Sequence, residues 1–141
     1  MIEKIKAIID KDLPLVSNLA NASAILNELE NINWCGFYLA KNDVLYLGPF
    51  QGEVACTIIP FGKGVCGKGA KEKQTIIVDD VRSFPGHIAC SEKSRSEIVV
   101  PIIKEDKVVA LIDIDSPELM RFSEKEKVLL EEVAQALSVL F

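Results

Sequence analysis

The sequence has no long uncharged apolar run. Its first twelve residues, MIEKIKAIIDKD, are interrupted repeatedly by charged side chains, so they lack the apolar core of a secretory signal. No other segment approaches the roughly 18 uncharged apolar residues that a membrane-spanning helix needs. These absences predict a cytoplasmic protein that does not contact a membrane.

Basic residues are also few. The 141 residues include 16 Lys or Arg against 21 Asp or Glu, so the net charge is −5. Proteins that bind nucleic acid usually present a basic surface, and this composition argues against such a partner. With 49% apolar and 26% charged residues, the chain has the composition of a globular protein, and its length predicts a single domain over residues 1–141.

Motifs that bind metals are absent. There is one histidine, His87, and the four cysteines, Cys35, Cys56, Cys66 and Cys90, form no CxxC pair. This spacing disfavours structural zinc, and we expect no bound metal. In a reducing cytoplasm, the thiols are more suited to catalysis, redox chemistry or metal binding than to permanent disulfides.

Apolar periodicity predicts helices at both ends of the chain and strands between them, with a glycine-rich bend at 62–69 that leads into a short helix. Residues 2–30 have helical spacing with a second helix beginning near Pro14, and Ser123 with Glu126 forms a capping box that begins a last helix. The apolar face predicted for that last helix contains Val128, Leu129, Val133, Ala136, Leu137 and Leu140. The predicted strands are 34–39, 44–47, 56–60, 75–78, 97–103 and 108–115. This order predicts an α+β fold, a central antiparallel sheet flanked by N-terminal and C-terminal helices.

The cysteines differ in their sequence neighbours. Cys35 lies in an apolar strand and is typical of a buried, inert thiol, whereas Cys56 lies at a strand edge, where an inert and a functional role are both open. Cys66 and Cys90 lie in segments rich in Gly or Ser, which we predict to be flexible loops. Cations and hydrogen-bond donors lower a thiol pKa, and residues 91–96 offer both beside Cys90. The residues alone therefore suggest a redox or nucleophilic thiol.

Three carboxylates and two aromatic residues are further candidates. Asp113 and Asp115 alternate with isoleucines and so share one face of a predicted strand, and Glu97 begins the preceding strand. This face is either solvated at a sheet edge or a polar pocket, where carboxylates raise each other's pKa. Trp34 and Tyr38 also share a strand face, as core residues or as the wall of a ligand pocket.

Two other motifs are weak. Gly62, Gly64 and Gly67 spell GxGxxG, but the elements around them are predicted to be antiparallel, whereas a dinucleotide site needs a strand–helix–strand unit with parallel strands. His87 follows a Pro-Gly turn, where a structural role and a metal-ligand role are both open.

Five strings together resemble the free methionine-(R)-sulfoxide reductases, which are single GAF domains. They are NWCGFY at 33–38, LGPFQG at 47–52, GVCG at 64–67, FPGHIAC at 84–90 and SRSEIVVP at 94–101. The resemblance extends from about residue 32 to the end of the chain. It implies a GAF fold and the reduction of free methionine (R)-sulfoxide to methionine.

The resemblance also implies a role for each candidate residue. Cys90 would attack the sulfoxide sulfur and become a sulfenic acid, and Cys66 or Cys56 would then resolve it as a disulfide. The carboxylates of Glu97, Asp113 and Asp115 would share protonation of the sulfoxide oxygen and binding of the substrate amino group. Trp34 and Tyr38 would form the pocket wall against the S-methyl group. Cys35 matches none of the three family thiols.

The same resemblance implies thioredoxin as electron donor, no bound cofactor, a role in oxidative stress and, by family analogy, a homodimer. Two other classes compete with this interpretation. A GAF module that senses a small ligand needs neither three thiols nor a carboxylate cluster, and a thiol-based redox sensor or zinc protein would hold stoichiometric zinc.

Overall fold

The computed structural model describes residues 1–87 and 92–141. Within them lies a sheet of six strands in the order β3-β2-β1-β6-β5-β4, in which all adjacent strands are antiparallel. The strands are β1 (Trp34–Lys41), β2 (Val44–Gln51), β3 (Ile58–Pro60), β4 (Ile76–Val78), β5 (Ser96–Lys104) and β6 (Lys107–Ser116). The sheet confirms the α+β class, and β1, β6 and β5 form its centre.

The predicted N-terminal helical region forms two helices, α1 (Ile2–Ile8) and α2 (Leu15–Leu26). Between them the chain turns, because the Asn18 side chain accepts a hydrogen bond from Asp10 N and donates one to Asp10 O, both at 2.9 Å. Pro14 directly precedes α2, where a missing backbone N–H costs nothing.

Side chains of successive residues on the central strands point to opposite faces of the sheet. On one face, Cys35, Phe37, Ile112 and Ile114 pack beneath α1, α2 and the C-terminal helix α4 (Glu124–Leu137). All four are 0% exposed, and burying a large aliphatic or aromatic side chain contributes about 1.5–3 kcal/mol. This face is the main hydrophobic core.

The capping box of α4 is confirmed, since the Ser123 side chain accepts from Glu126 N and the Glu126 side chain accepts from Ser123 N. The predicted apolar face of α4 is right at Val133 and Leu137, which are buried, and wrong at Val128, which is 51% exposed. It also misses Leu130 and Ala134, the other two buried residues of the helix.

The opposite face of the sheet packs against α3 (Gly64–Glu72) and the segments around it. The prediction of a flexible loop at Cys66 is wrong, because Cys66 lies in α3 and is 5% exposed. The glycines of this segment allow close packing. A Cβ on Gly67 would lie 2.6 Å from Pro60 O, and one on Gly69 would lie 2.8 Å from Val99 Cγ2.

Among the described helices, none combines the length and the apolar character that crossing a membrane requires.

Candidate active site

A cavity lies between α3 and the ends of β1, β5 and β6. The side chains that line it include the candidates Trp34, Tyr38, Cys66, Glu97, Asp113 and Asp115, together with His87 and Ser94. The structure therefore brings six of the predicted site residues together. Cys56 follows Ala55, another lining residue, and the predicted nucleophile Cys90 lies outside the described residues.

Strand register brings the carboxylates together. Asp115 lies opposite Glu97 on β5 and opposite Trp34 on β1, and Asp113 lies opposite Gly36. Because β6 runs between β1 and β5, a solvated sheet edge is excluded for this face. Glu97 and Asp113 are 6% and 5% exposed, and Asp115 is half-buried.

Burial raises the pKa of all three carboxyl groups. The charge on Asp113 raises the pKa of Glu97 and of Asp115 further. The rise in the pKa of Asp113 is opposed by hydrogen bonds from Glu97 and Cys66 and by the charge of His87. A cluster of this kind retains protons closer to neutral pH than isolated carboxyl groups do, so it can donate a proton or a hydrogen bond as well as bind a cation.

Cys66 is a free thiol in contact with this cluster. Its Sγ lies 3.8 Å from Glu97 Oε2. Burial raises the pKa of the Cys66 thiol well above its usual range, and the charges on Asp113 and Glu97 raise it further. Cys66 is therefore a protonated thiol at neutral pH rather than a ready nucleophile.

Cys35 lies on the other face of the sheet, beneath the helices, as the sequence predicts for an inert thiol. It is 0% exposed and donates to the backbone oxygen of Ser23 at 3.5 Å. Burial, with a smaller effect of Asp113, raises its pKa to about 12.

Aromatic side chains form one wall of the cavity and hold the loop beside it. Trp34 stacks on Phe50 with ring centroids 5.2 Å apart and on Tyr38 at 6.1 Å. Trp34 Nε1 donates to Glu53 O at 3.0 Å, and the Tyr38 hydroxyl donates to Cys56 O at 2.9 Å. These bonds position the loop of residues 53–56, and Cys56 itself is disulfide-bonded.

His87 and Ser94 complete the cavity lining. His87 Nε2 lies 3.9 Å from Glu97 Oε1, and burial lowers the pKa of the imidazole despite an opposing effect of Asp113. Ser94 Oγ accepts from Asn33 Nδ2 at 3.1 Å. Ser94 was not predicted from the sequence as a site residue, and the role of His87 was left open. Both residues lie in the strings that carry the family resemblance, and that resemblance is the signal that could have identified them.

Comparison with known proteins supports the resemblance. Residues 21–141 match the model of the GAF domain family. The chain is 46% identical over 136 residues to the free methionine-R-sulfoxide reductase of Escherichia coli K12, covering 95% of this chain and 82% of that protein. The enzyme of the same name from Saccharomyces cerevisiae is 46% identical over 138 residues, covering 92% of this chain and 77% of that protein.

A solved structure agrees in both fold and sequence. The free methionine-R-sulfoxide reductase of Neisseria meningitidis, determined in complex with its substrate, superposes with a TM-score of 0.94 at 42% identity, covering 99% of this chain and 85% of that chain. The carboxylate and aromatic cluster of this chain thus lies in the fold of a sulfoxide reductase. The chain belongs to the GAF domain family and, within it, to the free methionine-R-sulfoxide reductases.

Proposed function

We propose that this protein reduces free L-methionine (R)-sulfoxide to L-methionine. The observation that carries the proposal is the cavity in which Glu97, Asp113 and Asp115 face the aromatic pair Trp34 and Tyr38. Such a cavity offers both anionic groups and an apolar wall to one bound molecule. The relatives named for this activity support the same conclusion.

The two halves of the cavity fit the two ends of the substrate. The carboxylates bind the α-ammonium group of a free amino acid, which a residue inside a peptide lacks. The indole of Trp34 packs against the S-methyl group, since sulfur and methyl groups pack favourably on aromatic rings. We therefore propose that the enzyme selects the free amino acid over peptide-bound methionine sulfoxide.

Cys90 is the proposed nucleophile. Its thiolate attacks the sulfoxide sulfur, a carboxyl group of the cluster protonates the sulfoxide oxygen, and methionine leaves as that oxygen transfers to the cysteine as a sulfenic acid. The raised pKa values of Glu97, Asp113 and Asp115 support the acid role, because a carboxyl group must hold its proton to donate it. This assignment rests on the family resemblance for Cys90 and on geometry for the carboxyl groups.

A second thiol then condenses with the sulfenic acid, forming a disulfide and releasing the oxygen as water. Of the two candidates, Cys56 is disulfide-bonded and Cys66 is a free, buried thiol with a raised pKa. These observations support Cys56 as the resolving thiol. They support a different role for Cys66, which lies against the carboxyl groups of the cavity.

The resulting disulfide needs two electrons to return to thiols, and we propose thioredoxin as their source, with no bound cofactor. Exchange proceeds when a thiolate of the reductant attacks the disulfide. A role in oxidative stress and a homodimer stay predictions from the family resemblance, and a cytoplasmic location stays a prediction from the lack of a long apolar run.

The test is NADPH oxidation coupled through thioredoxin reductase and thioredoxin. Three substrates are compared: free methionine (R)-sulfoxide, its (S) epimer and a peptide containing the (R)-sulfoxide. Turnover confined to the free (R) epimer supports the proposal. If the folded, reduced protein turns over none of them, while methionine sulfoxide still binds by calorimetry, a ligand-sensing GAF module replaces the enzyme.

A further inference from the structure

We infer that Cys66, Glu97 and Asp113, with His87 at the fourth position, form a reversible Zn²⁺ site, and that zinc and substrate occupy the cavity alternately. This is an exchangeable site inside the cavity. It differs from the structural zinc that the cysteine spacing disfavours. Inhibition of sulfoxide reduction by zinc would follow from this alternate occupancy, and that part rests on the proposed function. The binding of zinc does not.

The spacing of the donor atoms fits a tetrahedral ion. One donor atom each from Cys66, Glu97 and Asp113 lies within 4.8 Å of the others. Zn–S and Zn–O bonds of about 2.3 and 2.1 Å at tetrahedral angles place sulfur and oxygen about 3.6 Å apart. The observed separation of Cys66 Sγ from Glu97 Oε2 is 3.8 Å, so this pair of donors needs little movement to bind one ion.

His87 approaches the same cluster from another segment. Its Nε2 lies 3.9 Å from Glu97 Oε1, with the imidazole 17% exposed. Zinc bound to nitrogen and oxygen at about 2.1 Å brings such atoms to about 3.4 Å apart. His87 is not among the donors that already lie within 4.8 Å of one another, so the imidazole must move toward Cys66 and Asp113 to complete a set of one thiolate, one imidazole and two carboxylates.

A buried acceptor in the site has no partner. Asp113 Oδ1 is inaccessible to solvent and accepts no hydrogen bond from any described residue. Buried polar atoms are nearly always satisfied, and leaving a carboxylate oxygen without a donor is costly. Among the described residues that line the cavity there is no Lys or Arg, and a bound cation would supply the partner that this oxygen lacks.

Ligand chemistry selects the metal. Thiolate and imidazole are borderline or soft donors that suit Zn²⁺, whereas Mg²⁺ and Ca²⁺ prefer oxygen donors alone. The α-ammonium of methionine sulfoxide would use the same carboxylates. Because one set of anionic groups serves both ligands, binding of one excludes the other.

The test uses the full chain, reduced and freed of small thiols and metal. Zinc affinity is measured by competition with a chromophoric indicator, and Co²⁺ is added as a spectroscopic substitute, since a cobalt–thiolate bond gives a charge-transfer band. The variants are Cys66→Ser and Asp113→Asn. The controls are Cys35→Ser, whose thiol lies on the other sheet face, and Glu132→Gln, an exposed carboxylate on α4.

The inference predicts one zinc per chain, a cobalt–thiolate band that Cys66→Ser abolishes, and a loss of affinity of about 10-fold or more in each site variant. Both controls keep wild-type affinity, and excess Mg²⁺ does not displace zinc. Free methionine (R)-sulfoxide raises the apparent Kd for zinc in proportion to its concentration. Equal zinc affinity in wild type and both site variants would overturn the metal site.

The two proposals fail separately. Zinc binding that needs Cys66 and Asp113 in a protein without sulfoxide turnover leaves the metal site standing and removes the enzyme. If zinc inhibits turnover but does not compete with the sulfoxide, the two ligands do not share the cavity.

Discussion

At the residue scale, the chemistry depends on three carboxylates that share one face of the sheet. Their common face was predictable, because Asp113 and Asp115 alternate with Ile112 and Ile114. Whether that face is exposed to solvent was not predictable, since it depends on α3 and the segments around it packing over the face. Cys66 was misplaced for a related reason: a glycine-rich segment resembles a loop unless the close packing that requires the glycines is known.

The cysteines are predicted to contribute unequally to sulfoxide reduction. Cys90→Ser abolishes turnover because it removes the nucleophile, whereas Cys35→Ser retains it because Cys35 lies beneath the helices, away from the cavity. The measurement is methionine formed in a single turnover by reduced protein. A full first turnover from Cys90→Ser would refute the nucleophile. Loss of activity in folded Cys35→Ser would refute the thiol assignment.

The stability of the protein is predicted to fall as pH rises. The folded-state pKa of Glu97 lies above its ordinary value, so the stabilisation is complete below the unfolded-state pKa and is lost as pH rises toward the folded-state pKa. Glu97→Gln removes this loss, so its free energy of unfolding falls less than that of wild type between about pH 5 and pH 8.

The measurement is urea unfolding in reductant at both pH values, with Glu132→Gln as the surface control. A Glu97→Gln protein with the same pH dependence as wild type would show that Glu97 is ionised in both states.

Tyr38 is predicted to act on the loop that carries Cys56. Tyr38→Phe loses the hydrogen bond to Cys56 O and about 1 kcal/mol of stability. With the loop less well positioned, the first turnover is retained while steady-state cycling with thioredoxin slows. The control is Tyr46→Phe, because Tyr46 is exposed on β2. Equal slowing of both steps would contradict a role confined to the loop.

At the element scale, the four long strands were more predictable than the helix that lines the cavity. Apolar runs rich in aromatic and β-branched residues, separated by turn residues, identified β1, β2, β5 and β6. The two short strands predicted at 56–60 and 75–78 are β3 and β4, and each has only three residues in the structure. In α4, periodicity alone included Val128 and missed Leu130 and Ala134, which are buried.

Close packing of α3 predicts a penalty for a single added methyl group. Gly67→Ala gains helix propensity, yet its Cβ would lie 2.6 Å from the backbone oxygen of Pro60. We expect a net loss of about 1–3 kcal/mol in the free energy of unfolding, measured by denaturant titration. Glu72→Ala, at an exposed position of the same helix, should be close to neutral. A Gly67→Ala protein as stable as wild type would show that α3 shifts freely.

At the scale of the whole molecule, the order of elements was sufficient to predict an α+β sheet with terminal helices, because antiparallel hairpins and a capped last helix are local features. The cavity was not predictable from local features, since it joins β1, α3, β5 and β6 across the chain. The resemblance supplied that missing information: its strings lie on the segments that surround the cavity. It did not identify the unpartnered oxygen of Asp113, which depends on side-chain geometry.

The proposed reaction has a stoichiometry that one measurement tests directly. Reduced protein is mixed with excess free methionine (R)-sulfoxide or its (S) epimer, without any external reductant, and the methionine formed and the thiols remaining are counted. Reduction through a sulfenic acid and a disulfide predicts one methionine and the loss of two thiols per chain with the (R) epimer, and neither with the (S) epimer. No methionine from the (R) epimer, or equal amounts from both epimers, would contradict the assignment of this cavity as a stereospecific sulfoxide-reducing site.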